Sequence, residues 1–205
     1  MKMLEKLLAL AIVIALIMKF SLIPGSDIIA LWAMLTLACL YYPLGFLFLN
    51  QIRLRHIFKR DSYQNLTAVQ IILAVVTGMG LSTIVIGSLF KLLTFSGADN
   101  MLFVGLIMTG VASIVSVVLS MARKDANRKF TFWRVGIIGV AGLLLIFTSD
   151  LAIVKVQYRN HPEYIVAYRN YLVDPGNEEL YKKVELGRNR IQLTEEESKE
   201  DEKSN

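Results

Sequence analysis

Lysine, glycine and aspartate recur in this chain at one fixed spacing: Lys19, Gly25 and Asp27, then Lys91, Gly97 and Asp99, 72 residues later. Written out, Lys19-Phe-Ser-Leu-Ile-Pro-Gly25-Ser-Asp27 stands against Lys91-Leu-Leu-Thr-Phe-Ser-Gly97-Ala-Asp99. Such a triplet suits a turn between two helices. Glycine tolerates the left-handed backbone that a tight reversal needs. Aspartate just beyond it caps or charges the next helix, with Ser26 able to assist in the first copy. Lysine at the end of the preceding helix meets that helix's last carbonyls, favoured by the dipole. Each copy lies where one apolar run ends and the next begins, in the same orientation. The two therefore read as a parallel repeat of a helical hairpin. Convergent turn chemistry on two unrelated hairpins is the plainer alternative.

Few other residues could do chemistry. Asp150 interrupts an apolar stretch that resumes as Leu151-Ala-Ile-Val154, which makes it a candidate intramembrane acid. The competing reading is that it ends a span at the headgroups. Lys19 and Lys91 are expected to snorkel toward the membrane surface. The two histidines, His56 and His161, have no second ligand at metal spacing. No phosphate-cradling glycine loop and no nucleophile–base set occurs. The expectation is a protein that is not an enzyme and uses no cofactor or metal. Cys39, the single cysteine, lies in an apolar run and reads as a small buried residue.

The elements that position these residues follow from composition. Hydrophobic residues make up 55% of the 205 positions, charged residues only 19%, and the mean hydropathy is +0.51. A soluble domain carries about a quarter charged residues. The net charge of +5 comes from lysines and arginines beside apolar runs, where membrane topology accounts for them and nucleic acid is not implied.

A helix crosses a bilayer with about 20 apolar residues. Five predicted spans meet that need, at 7–23, 27–49, 69–90, 100–121 and 133–154. The fifth is short: its uninterrupted apolar part, Val135 to Ser149, is about 22 Å long as a helix. The N-terminus lacks a small-x-small cleavage site, so it reads as a retained span. Basic clusters at Lys2 and Lys6, in the 50–66 loop and in the 123–134 loop put those segments in the cytoplasm. Gly78, Gly80, Ser82 and Gly87 in the third span, and Gly136, Gly139 and Gly142 in the fifth, are the expected helix-packing positions.

The chain thus divides into a transmembrane bundle over 1–157, a polar helical tail over 158–193 and an acidic segment over 194–205, expected to be disordered. The tail reads as two short helices separated by Asp174-Pro175-Gly176-Asn177. Tyr164, Ala167, Tyr168, Tyr171 and Leu172 recur at helical spacing and form a docking stripe. Five spans leave the tail outside, and four would return it to the cytoplasm.

The second turn carries a resemblance. Gly87-Ser-Leu-Phe-Lys91-Leu-Leu-Thr-Phe-Ser-Gly97-Ala98-Asp99-Asn-Met101-Leu102-Phe-Val-Gly105 resembles the transmembrane hairpin of the small inner-membrane stator subunit of the Bacteroidetes gliding and type IX secretion motor. The likeness covers about residues 84–118, with a weaker copy over 12–46. It implies a hairpin in a bacterial inner membrane. The family's membrane glutamate has no counterpart, since Met108, Thr109 and Gly110 occupy that stretch, so a proton-driven motor is not implied.

These features lead to one expectation: an all-α, polytopic membrane protein, two parallel-repeat hairpins plus one helix with a short helical tail. It would serve as a structural or accessory subunit of a membrane complex. Its partners would be the lipid bilayer and either other membrane proteins or further copies of itself, and not nucleic acid. A small transporter or channel built on the repeat is the alternative.

Overall fold

The computed structural model describes residues 2–21, 26–49, 67–123 and 129–204, and all regular structure among them is helical. The order is α1 (Lys2–Phe20), α2 (Ser26–Leu49), α3 (Ala68–Leu92), α4 (Ala98–Arg123), α5 (Lys129–Phe147), α6 (Asp150–Gln157), α7 (Pro162–Val173) and α8 (Glu178–Ser204). Helix α3 is the central element, with α2, α4 and α5 packed around it and α1 against α2.

Small residues let these helices approach. A Cβ on Gly78 would stand 2.8 Å from Gly45 Cα and 3.0 Å from Tyr41 O, so α2 and α3 cross backbone on backbone. Next to that crossing the Ser82 hydroxyl donates to Ala38 O at 2.9 Å. On the other side of α3, a Cβ on Gly87 would lie 2.9 Å from Leu102 N, and one on Gly105 2.9 Å from Ile84 N. Gly142 of α5 sits against the Ile84 side chain. The core that results includes Leu81, Ile84, Leu89 and Leu102. Gly78, Ser82, Gly87 and Gly142 thus lie at close helix–helix contacts. Gly136 and Gly139 do not: nothing within 4 Å would meet a Cβ there. Gly136 is exposed and Gly139 half-buried.

Helices Ala68–Leu92 and Ala98–Leu119 are long and apolar enough to cross a membrane. Leu7–Lys19 and Ser26–Tyr42 are shorter apolar helices. The expected fifth span over 133–154 is not one continuous helix. It breaks at Thr148 and Ser149 into segments Val135–Phe147 and Asp150–Gln157, bent by 92°. The physical reason is local. Ser149 takes an extended conformation and its side chain accepts from Ala152 N–H at 3.2 Å, restarting the chain as a new, capped helix.

After the bend, α6, α7 and α8 form a cap with its own core of Val154, Tyr164, Tyr168, Val184 and Ile191. The turn at 174–177 is as expected, with Asn177 Oδ1 accepting from Glu179 N–H at 3.0 Å. The acidic segment differs from expectation: α8 runs unbroken through it to Ser204. Glutamate and lysine are strong helix formers.

Candidate functional site

The second hairpin turn is built by a complete Schellman arrangement. Phe95 N–H bonds Phe90 O at 2.8 Å and Thr94 N–H bonds Lys91 O at 3.2 Å, closing the last turn of α3. The apolar contact that accompanies such an ending is present, with the Phe90 and Phe95 rings edge to face at 5.5 Å. The left-handed position, where glycine is usual, is held by Thr94 at φ +56°. Gly97 follows at φ +83°, the left-handed backbone expected of it. Asp99 then falls in the first turn of α4, as Asp27 does in α2.

Both lysines pair with the aspartate eight residues on. Lys19 Nζ bonds Asp27 Oδ1, and Lys91 Nζ bonds Asp99 Oδ1 at 2.6 Å. The Lys91 side chain is only 2% exposed, because a second acid reaches it: Asp150 Oδ1 lies 2.7 Å from the same ammonium. Asp150 is therefore neither a free intramembrane acid nor a bare span terminus. It opens α6 immediately beyond the bend and ties that helix to the end of α3. A buried ammonium needs such partners, since a charge taken out of water without them is costly. Gly25 lies outside the described residues, as does His56; His161 precedes the first residue of α7.

The tail converges on the same place. Gln157 Nε2 donates to Leu92 O at 2.9 Å, satisfying a carbonyl that the helix end leaves free. Arg188 Nη2 donates to Thr94 Oγ1 at 2.8 Å and approaches Tyr164 OH at 3.4 Å. Tyr168 is buried beneath Asp150, and burial first, then that carboxylate, pushes its phenol well above the ordinary tyrosine range. Of the docking stripe, Tyr164 and Tyr168 are buried, Ala167 and Tyr171 partly so, and Leu172 remains exposed. The stripe docks on its own chain.

Between the turn and the tail lies a cleft of about 680 Å³, lined by Asp99, Asp150 and Arg188 among tyrosines and the Phe95 ring. Sequence spacing had located Lys91, Gly97 and Asp99. It did not link them to Asp150, and it did not single out Thr94, Gln157 or Arg188. Each stands among other polar residues, as Arg188 does in Gly187-Arg-Asn-Arg190, so spacing alone does not mark it.

An all-helical bundle with two helices able to cross a membrane, or three if the bent pair counts as one, is the class that these features define. Comparison with protein-family models, with curated proteins and with solved structures finds no match to this chain.

Proposed function

We propose that the chain is an accessory subunit of a bacterial inner-membrane complex, with two hairpins and α5 passing through the bilayer. The observation that carries this reading is the open apolar side of the bundle. Phe103, Ile107, Ile114 and Val118 of α4, and Ile137, Val140 and Leu144 of α5, are all exposed. Gly136 and Gly139 stand beside the α5 residues, with nothing within 4 Å of a Cβ there among the described residues. Lipid covers an apolar face adequately, but glycines on it suit the close approach of another helix. The Lys-Gly-Asp repeat and the stator-like hairpin support the same architecture. In this reading the tail braces the bundle, and partners engage the α4–α5 side.

The test is co-purification from mild detergent. Replacing Gly136 and Gly139 together by leucine leaves the bundle folded and removes stable partners or further copies of the chain. Deleting 194–205 leaves them in place, because the cap core ends at Ile191. Retention of every partner by the double leucine variant would sink the reading. A second reading, a small transporter or channel, is favoured by one observation, the buried Lys91 with two acids beside a cleft. Ion flux in liposomes from the purified chain alone would favour it over the subunit.

A further inference from the structure

The cleft between the second turn and the tail is lined by two carboxylates and a guanidinium. Asp99 and Asp150 share a single ammonium, so this acid pair carries one negative charge more than Lys91 neutralises. Among the described contacts Lys91 engages Oδ1 of each acid, and Asp99 is 57% exposed to the cleft and solvent. Arg188 lines the same cleft, its Nη2 donating to Thr94 Oγ1 and Tyr164 OH. Tyr168, Tyr171 and Tyr181 line it too, with successive ring centroids 6.2 Å and 5.9 Å apart. Carboxylates beside aromatic rings favour an ammonium, and a guanidinium favours a phosphate. A ligand that carried only one of these charges would leave the other lining group unmatched.

Depth selects the source. The cleft sits where α3 ends at Leu92 and α4 begins at Ala98, the ends of the two helices long enough to cross a membrane. With α3 and α4 crossing a bilayer, headgroups lie at that level. Phe95 and Leu172, both exposed, give the cleft an apolar edge. We propose that this cleft binds the zwitterionic headgroup of a membrane phosphatidylethanolamine, with its ammonium on Asp99 and Asp150 and its phosphate on Arg188. A primary ammonium donates hydrogen bonds to the acids, which the trimethylammonium of phosphatidylcholine has no N–H to do. The phosphatidylglycerol headgroup lacks the cation and meets the excess carboxylate charge. The inference rests on α3 and α4 crossing the bilayer and is independent of any protein partner.

The experiment uses the full chain in detergent, with lipid binding read by native mass spectrometry. Phosphatidylethanolamine, phosphatidylcholine and phosphatidylglycerol of matched acyl chains are compared with water-soluble phosphoethanolamine. The expected result is a preference of about tenfold for phosphatidylethanolamine over phosphatidylcholine. Asp99→Asn lowers it to parity while far-UV circular dichroism stays unchanged. Tyr181→Leu, at an exposed ring, weakens it in the same direction and serves if the first variant misfolds. Equal binding of the two zwitterionic lipids, or a preference that survives both substitutions, overturns the proposal. Tight binding of soluble phosphoethanolamine without lipid would also overturn it, since the ligand would then be a free solute. Failure on any of these counts leaves the helix contacts of the proposed complex untouched, and loss of partners leaves the lipid preference untouched.

Discussion

At the scale of single residues, Lys91 decides how the hairpin end and the tail are joined. It is the most deeply buried charge described, and its ammonium holds α4 through Asp99 and α6 through Asp150. Lys91→Met keeps the volume but leaves two carboxylates facing each other. A fully buried pair broken on one side costs about 3–5 kcal/mol, and solvent access to Asp99 brings the expectation to the lower end. Thermal unfolding of the purified variant in detergent measures it, and an unchanged midpoint would contradict the role. Tyr168 adds a pH dependence. Burial and Asp150 keep its phenol protonated in the folded chain to higher pH than in the unfolded chain. The folded state therefore holds a proton that the unfolded state releases, and stability falls as pH rises past about 10. Comparing Tyr168→Phe with the parent between pH 8 and 11 isolates this slope, because the remaining titrations are common to both. A parent slope no steeper than that of the variant would remove the claim. Neither residue's partner was readable in advance. The Lys91–Asp99 pair is local, eight residues apart, whereas Asp150 arrives from a distant helix whose bend no periodicity announced.

At the scale of elements, the turn and the bend are where local preference was overruled. Gly97 adopts the positive φ that its type suggests, but the left-handed end of α3 belongs to Thr94. A β-branched residue there costs about 1–2 kcal/mol. Its hydroxyl repays the strain by accepting from Arg188. Thr94→Gly separates the two effects: the hairpin tightens while α8 loses an anchor. Hydrogen exchange should therefore show faster exchange across 178–191 and no faster exchange across 85–105. Slower exchange in both segments, or no change in α8, would mean that the Thr94–Arg188 bond is not holding the tail. The fifth apolar run shows the complementary case. Its length was legible as short, and its break at Ser149 follows from a serine cap that a hydropathy reading cannot see. The acidic end of α8 errs the other way. Lack of apolar content points to disorder, yet glutamate and lysine are strong helix formers and α8 continues to Ser204.

At the scale of the whole molecule, helical class, hairpin pairing and the turn at 174–177 were legible because each rests on neighbouring residues. The mutual arrangement of bundle and tail was not, since it depends on Asp150, Gln157 and Arg188 meeting the end of α3 from far along the chain. Glycine positions divided on the same ground. Gly78, Gly87 and Gly142 find neighbours, whereas Gly136 and Gly139 have none within 4 Å of a Cβ among the described residues. The central claim is that the tail caps the end of the bundle that carries the Lys91–Asp99 turn, so α5 must have carried the chain to that side. Single cysteines at positions 96, 125 and 186, introduced into a Cys39→Ala background, test it by labelling with a membrane-impermeant maleimide in intact cells and in inverted membranes. The account predicts that 96 and 186 label from one side and 125 from the other. Labelling of 186 together with 125, and apart from 96, would contradict it.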